Sequence, residues 1–162
     1  MRVLIAYRSR YGATESCAKS LASRITSETV VHDLKDRSHP SLQGFDVVLI
    51  GGSIYGGKVQ RELPAFCDRE RDRLLSRKVG LFICCFYTGE QAMAELQEAF
   101  PPWLAVHAFA REVLGGELLL KKLTFLDRIL VRSLVHPARD ISAIRTDAVE
   151  ELAAAVNSLL RA

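Results

Sequence analysis

The sequence predicts an α/β domain in which helices cover both faces of a parallel sheet. Short apolar segments alternate with segments whose apolar residues recur at helical spacing, which is the order that produces such a sheet. The apolar segments are nearly continuous, as in strands that are buried on both faces. The chain has 162 residues, 49% hydrophobic and 25% charged, which excludes a disordered, collagenous or coiled-coil protein. We therefore predict a single domain over residues 1–162.

Five strands and about five helices are expected along the chain. The predicted strands are Val3–Tyr7, Thr29–Leu34, Phe45–Ile50, Val79–Phe86 and Phe109–Leu114. Gly51-Gly52 should end the third strand and Gly115-Gly116 the fifth. The first predicted helix has an apolar face formed by Cys17, Ala18, Leu21 and Ile25, and the second runs from near Arg61–Leu63 to about Leu75. A third helix is predicted over Glu90–Phe100, followed by a short helix from Pro101-Pro102 to His107. The last helix is predicted to start at Thr146-Asp147.

Charge, hydropathy and cysteine usage exclude several classes of protein. The 22 basic and 19 acidic residues give a net charge of +3, too small to indicate a nucleic-acid partner. No apolar run approaches the roughly 18–20 residues of a membrane span, and the N-terminus lacks the features of a signal peptide. Cys17, Cys67, Cys84 and Cys85 form no Cys-x-x-Cys pair, so we expect reduced thiols, no bound metal and a cytoplasmic protein.

Ligands of doubly wound sheets bind beyond the carboxyl ends of the strands, so the loops there are candidate binding sites. The first loop is Ser9-Arg10-Tyr11-Gly12-Ala13-Thr14, between a strand and a helix N-terminus. Free backbone N–H groups and the helix dipole make such a position an anion site, and hydroxyls add donors. The alternative is a simple turn in which Thr14 caps the helix. The loop matches neither the Walker phosphate loop nor the dinucleotide fingerprint.

Two further loops should complete the same site. Gly51–Gly57 contains four glycines, which would allow Ser53, Ile54, Tyr55, Gly56 and Gly57 to lie against a flat ligand with Tyr55 stacked on it. The alternative is a mobile glycine-rich turn. The third loop would supply backbone groups from Cys85, Phe86, Tyr87, Thr88 and Gly89. The alternative for Cys84 and Cys85 is packing on a buried strand, and because adjacent residues point to opposite faces we expect no disulfide between them.

These loops resemble those of the flavodoxins. The first resembles the [ST]-x-T-G-x-T loop that binds the phosphate of flavin mononucleotide (FMN), with Tyr11 in place of a threonine. Gly51–Gly57 is similar to the loop that places an aromatic residue beside the isoalloxazine ring. The resemblance implies a flavodoxin-like sheet of order 2-1-3-4-5 and FMN as cofactor. The FMN-binding residues would then come from Ser9–Thr14, Ser53–Gly57 and Cys85–Gly89.

Within the flavodoxin-like group, the chain is most similar to protoporphyrinogen IX dehydrogenases that pass electrons to menaquinone. The shared features are Gly-x-Ser-Ile-x-x-Gly in the second loop and an extra segment of about 30 residues, 115–145, before the last helix. Phe125-Leu126-Asp127-Arg128 resembles an aromatic-x-Asp-Arg motif in that segment. This resemblance implies protoporphyrinogen IX and a quinone as the reaction partners. The oligomeric state is not indicated.

The extra segment is predicted to contain a basic amphipathic helix over residues 118–135. Lys121, Arg128 and Arg132 share a helical face, Lys122 lies nearby, and residues 111–139 alone sum to +3. Such a helix suits an anionic ligand or the inner face of the cell membrane, with Lys122, Arg128 and Arg132 as candidate contacts to substrate or membrane. The alternative is a helix that only packs on its own domain.

Two other functions remain open at this stage. An FMN electron carrier would dock on protein partners, but the resemblance implies that carriers are usually acidic, whereas Arg8, Arg10, Lys58 and Arg61 surround these loops. A quinone reductase that uses NAD(P)H is a third possibility, although nothing in the sequence indicates a nicotinamide site. We nominate no catalytic acid or base, because isolated histidines such as His107 and His136 are usually surface or packing residues.

Overall fold

A five-stranded parallel sheet forms the centre of the protein. The computed structural model describes residues 1–36, 40–118, 120–129 and 141–161. The strands are β1 (Arg2–Arg8), β2 (Glu28–Asp33), β3 (Val47–Ser53), β4 (Lys78–Cys84) and β5 (Ala110–Val113). They pair in the order β2-β1-β3-β4-β5, all parallel, which confirms the predicted sheet and its strand order.

Helices cover both faces of this sheet. They are α1 (Ala13–Arg24), α2 (Glu62–Arg69), α3 (Arg71–Leu75), α4 (Gly89–Glu98), α5 (Pro102–His107) and α6 (Thr146–Arg161). Because successive strand residues point to opposite faces, Val3 and Ile5 pack with α1 and α6, whereas Leu4 and Ala6 pack with α2 to α5. Among the described residues, no helix is both long and apolar enough to cross a bilayer.

The third strand is longer than predicted, because Gly51 and Gly52 belong to it rather than ending it. A Cβ on Gly51 would lie 2.0 Å from the Phe82 ring, and one on Gly52 would lie 2.7 Å from Leu63 Cδ2. These two glycines are therefore needed for packing within the core. In the second loop, only Gly56 and Gly57 have the positive φ angles (58° and 74°) that favour glycine.

The predicted helix between Val59 and Leu75 is two helices. The predicted start is correct, since α2 begins at Glu62, but the chain leaves helical geometry at Glu70. The buried Glu70 carboxylate binds Arg69 and Arg73 at 3.2 and 2.9 Å. Burial acts to raise the pKa of Glu70, but these two guanidinium groups outweigh it and hold the pKa below its ordinary value.

The extra segment leaves and re-enters the domain as a two-stranded antiparallel ribbon, β6 (Gly115–Leu118) with β7 (Ile141–Ile144). β5 ends just before Gly115-Gly116, as predicted, and these glycines also begin a further strand that the sequence did not predict. Gly115 is required there, because it has a φ of 78° and a Cβ would lie 2.0 Å from the carbonyl oxygen of Ala143. Beyond the ribbon, Leu120–Lys122 forms a 3-10 turn and residues 125–129 are helical.

The prediction of one amphipathic helix over residues 118–135 is therefore wrong in its first part. An α-helix begins only at residue 125. Thr124 caps it, because the Thr124 hydroxyl accepts the backbone N–H of Asp127 at 3.2 Å. Lys121 precedes this cap and does not share a helical face with Arg128. Arg132 lies outside the described residues.

We predict that Gly51→Ala destabilises the protein by about 1–3 kcal/mol, because the added methyl group would overlap the Phe82 ring. The free energy of unfolding in urea measures this loss. The double variant Gly51→Ala with Phe82→Leu should be more stable than the sum of the two single losses predicts. Strictly additive losses would show that Phe82 is not the group that excludes a side chain at position 51.

Candidate functional site

The predicted loops meet around a cavity at the carboxyl ends of the central strands. Its volume is about 360 Å³, within the range of small-molecule sites. The predicted residues that line it are Arg10, Tyr11, Ala13, Ser53, Ile54, Tyr55, Gly56, Gly57, Cys85, Phe86 and Tyr87. A larger depression of about 800 Å³ lies at the amino ends of β3 and β4, beside Asp46 and His107. We assign the smaller cavity as the site, because doubly wound sheets bind ligands at the carboxyl edge.

The first loop leads into α1 beside this cavity. Gly12 precedes the helix with a φ of 100°, and its N–H donates to Ser9 Oγ at 2.9 Å. Thr14 lies inside the helix, so the alternative in which it caps α1 is wrong. Its hydroxyl is fully buried beside the Cys84 thiol, and it makes no hydrogen bond of ordinary geometry with the described residues. The first-turn N–H groups of a helix also lack intrahelical partners, so this end of α1 offers several donors to an anion.

The second loop forms a tight turn that presents Tyr55. Tyr55 and Lys58 exchange backbone hydrogen bonds of 2.9 and 3.2 Å across Gly56 and Gly57, which defines the turn. Ser53 ties this loop to the first, since its Oγ accepts the backbone N–H of Arg10 at 3.2 Å. The Tyr55 ring thus stands at the cavity on a turn that these three hydrogen bonds hold.

The third loop contributes less than predicted. Cys85, Phe86 and Tyr87 line the cavity, whereas Thr88 and Gly89 begin α4 and do not. The Cys85 thiol donates to the carbonyl of Tyr87 at 3.7 Å, and burial, together with the charge of Glu95, raises its pKa to about 11. All four cysteines are free and buried, so the expected absence of a disulfide between Cys84 and Cys85 is confirmed.

A buried carboxylate from the extra segment joins the first two loops. Asp127 is 8% exposed and accepts hydrogen bonds from the hydroxyls of Tyr11 and Tyr55. It also accepts one from Thr124 Oγ1 at 2.7 Å, and the Arg10 guanidinium lies 3.3 Å away. The guanidinium in turn lies 3.9 Å from the centre of the Tyr55 ring. We call Asp127 with Arg10, Tyr11 and Tyr55 the Asp127 cluster.

Sequence reasoning missed Asp127 even though it noted the motif that contains it. The basic pattern of the segment predicts contacts at Lys122, Arg128 and Arg132 and assigns no role to the carboxylate. Of these three, Lys122 reaches the first loop, where its ammonium would lie 2.7 Å from a Cβ on Gly12. Arg128 lies in the helical residues 125–129, one position beyond Asp127. The signal for Asp127 was a carboxylate beside apolar neighbours in an otherwise basic stretch.

Other residues at the site could not be found from local sequence. Glu95 lines the cavity from α4, Gly116 and Glu117 from β6, and Ile141 from β7. Gly116 packs so closely on the third loop that a Cβ would lie 3.0 Å from the backbone of Cys85. His107 lies away from the cavity, with its Nε2 2.8 Å from the carbonyl of Arg77, in keeping with a packing role.

The fold and the site define a doubly wound protein with a cavity at the carboxyl edge of its sheet, flanked by tyrosines and lying beside the N-terminus of α1. The family model described as a flavodoxin domain matches residues 4–143. The chain belongs to the flavodoxin domain family.

Solved structures agree with this assignment at the level of the fold. Flavodoxin 2 from Bacillus cereus is 20% identical, with a TM-score of 0.61 over 98% of this chain and 99% of that one. The flavodoxin WrbA-like protein from Agrobacterium tumefaciens is 18% identical, with a TM-score of 0.60 over 99% and 97%. The rubredoxin oxygen:oxidoreductase from Desulfovibrio gigas is 16% identical, with a TM-score of 0.60 over 99% of this chain but only 37% of that longer protein.

Flavodoxin-like proteins bind FMN, and the residues present here fit this cofactor. The absence of a side chain on Gly12 and the Lys122 ammonium beside it suit a phosphate at the start of α1. The 360 Å³ cavity, with Tyr55 and Tyr87 at its walls, suits a flat aromatic ring. These residues would hold FMN with its phosphate at the first loop and its ring between the second and third loops.

We predict that Asp127→Asn loosens the extra segment from the first two loops. The amide removes the charge that strengthens the hydrogen bonds from the two tyrosines and Arg10, at an expected loss of about 1–3 kcal/mol in the free energy of unfolding. Hydrogen exchange should show weaker protection of residues 120–129. Asp68→Asn, at an exposed position on α2, is the matched control. Equal stability of the two variants would contradict a stabilising role for Asp127.

The raised pKa of Cys85 predicts a loss of stability at alkaline pH. The folded state holds the thiol proton until about pH 11, whereas an unfolded thiol loses it near pH 8.5. The contribution is therefore complete below about pH 8.5 and is lost as the pH rises towards 11. Between these values the free energy of unfolding should fall less steeply for Cys85→Ser than for the wild type. Parallel curves would show that Cys85 does not titrate differently in the two states.

Proposed function

We propose that this protein is an FMN-dependent oxidoreductase that dehydrogenates protoporphyrinogen IX and passes the electrons to a quinone such as menaquinone. The observation that carries the proposal is the position of the extra segment. Asp127 fastens it to Tyr11 and Tyr55, two residues that line the candidate flavin cavity. A segment added to the flavodoxin fold thus lies where a substrate would meet the flavin. This agrees with the resemblance of the second loop and of Phe125–Arg128 to the dehydrogenases.

The surface around Asp127 suits a large apolar substrate. Phe125 and Leu126 are each 76% exposed and Ile129 is 53% exposed, although all three are apolar. In the third loop, Phe86 and Tyr87 are also about half exposed. Contiguous exposed apolar surface marks interaction sites, and Phe125, Leu126 and Ile129 flank Asp127 in sequence. A tetrapyrrole ring system and a quinone are both apolar ligands of the kind that such a surface binds, and the same side chains would favour contact with a bilayer surface.

The charges at the cavity are mixed, since Glu95 and Glu117 line it with Arg10 and Arg10 is paired with Asp127, but several further cations lie close by in the chain. Arg10 lies at the cavity, Lys58 and Arg61 follow the second loop, and Lys121 and Lys122 precede the Asp127 helix. Protoporphyrinogen IX carries two propionates, which these cations would attract. An electron carrier of the usual acidic type would present the opposite charge to its partners.

The proposed reaction makes limited demands on the chain itself. Each oxidation step removes a hydride and a proton from the substrate, and the quinone takes up two electrons and two protons to give the quinol. FMN, when bound, supplies the site that accepts and returns the electron pair. The first and second loops would hold the cofactor, and Tyr55, whose hydroxyl is bound to Asp127, would lie against its ring. The apolar residues around Asp127 would cover a bound substrate and reduce its contact with water.

The decisive experiment measures protoporphyrin fluorescence after protoporphyrinogen IX and a menaquinone analogue are added to the FMN-loaded protein. We expect a rise well above the autoxidation rate and dependent on the quinone. The double variant Phe125→Ser, Leu126→Ser should raise KM about 10-fold or more with unchanged FMN content, because each replacement removes apolar contact area. Val106→Ser, at an apolar residue that is 88% exposed on α5, is the matched control.

The outcomes separate the candidate functions. No rise in fluorescence with FMN bound would refute the dehydrogenase and favour an electron carrier. Turnover with wild-type KM in the double variant would refute the role of the exposed apolar residues. Flotation of the wild type, but not of the double variant, with anionic liposomes would support peripheral membrane contact through this segment.

A further inference from the structure

Lys122 lies in an unusual electrostatic position. It belongs to the extra segment, yet its ammonium reaches across to Gly12, the residue that precedes α1. The N-terminus of a helix carries partial positive charge, so a cation there is repelled by the helix dipole. Among the described residues, Lys122 forms no ion pair within 4.0 Å. Glu15 is the carboxylate that faces it from α1, but Glu15 is already bound to Lys19 at 2.6 Å.

The repulsion would be relieved by an anion between the helix and the ammonium. The buried Thr14 hydroxyl lies beside the Cys84 thiol but makes no hydrogen bond of ordinary geometry with the described residues, so its proton is available to an anion at this same end of α1. Tyr11 stands where the flavodoxin pattern has a threonine, and its hydroxyl is engaged by Asp127. Compared with the flavodoxin pattern, the first loop thus has one hydroxyl fewer to bind a phosphate. The extra segment places the Lys122 ammonium beside this loop.

We infer that Lys122 binds the phosphate of FMN, so that the extra segment is part of the cofactor site as well as of any substrate site. The Asp127 cluster is the anchor that makes this possible, because it holds the segment against the first loop five residues after Lys122. An ammonium and a phosphate form a charge-assisted hydrogen bond, which is stronger than a neutral one. The inference depends on FMN binding alone and not on the identity of the substrate.

The test compares FMN with riboflavin, which has the same ring and no phosphate. Affinities of the apoprotein for both flavins are measured by quenching of flavin fluorescence. Lys122→Ala should weaken FMN binding about 10-fold and leave riboflavin binding unchanged, and Lys122→Arg should restore most of the loss. Lys121→Ala is the matched control, since Lys121 is the exposed neighbouring lysine in the same 3-10 turn. The FMN effect should shrink as salt is added.

Three results would overturn the inference. FMN affinity unchanged by Lys122→Ala would show that the ammonium does not contact the phosphate. An equal loss for FMN and riboflavin would indicate a structural role for Lys122, for example through Glu15. If Lys121→Ala lowered the affinity for FMN as much as Lys122→Ala, the net charge of the segment alone would account for the attraction of the phosphate. Each is measured without turnover, so failure here and failure of the dehydrogenase proposal are distinguishable.

Discussion

The architecture of the site depends on one buried carboxylate. Burying a charge is costly unless polar partners replace the water that it loses, and Asp127 obtains them from Tyr11, Tyr55, Thr124 and Arg10. Those partners come from both sides of the site: two loops that follow strands of the sheet, and the extra segment. The hydrogen bonds that satisfy Asp127 are therefore the same bonds that hold the segment against the cavity. Removing the carboxylate would leave both tyrosine hydroxyls and Arg10 without their shared acceptor.

The sheet and the cavity follow from simpler constraints. Strands buried on both faces require apolar side chains on both, and β1 divides its residues between the two cores accordingly. Parallel strands direct their carboxyl ends to one edge, which brings the loops after β1, β3 and β4 together. Ser53 and Arg10 then join two of these loops by a hydrogen bond. The cavity is thus a product of topology, and the chemistry within it comes from short loops that the topology gathers.

Local patterns predicted most of the fold, because the strands and helices depend on periodicity that neighbouring residues carry. The predictions failed at glycines whose structural role depends on a contact with residues far away in the sequence. Gly51 and Gly52 look like a turn in sequence, but they are small because Phe82 and Leu63 occupy the space beside them. Gly115 likewise begins a ribbon whose other strand lies 26 residues or more further along the chain.

The residues of the site also divide into those that the local sequence predicts and those that depend on distant contacts. Most loop residues predicted to line a cavity do so, because their place after a strand decides it. Thr88 and Gly89 were predicted to line the cavity, but they begin α4 instead. The connection between β4 and α4 is shorter than the sequence pattern indicated. Asp127 and Lys122 act on residues more than 100 positions away, and no window of sequence could pair them with the first loop.

The paired ends of the extra segment have a consequence for how this fold can diversify. Gly115 pairs with Ile144, so the excursion leaves and returns at adjacent points on the domain. Closing a loop costs entropy that grows only slowly with its length, about 0.6 kcal/mol for each doubling. The number of residues between the ribbon strands can therefore vary at little cost in loop closure, apart from those that Asp127 holds against the first two loops. The ribbon is therefore a point at which segments of different length and surface can be inserted into the same domain, beside the same cofactor site.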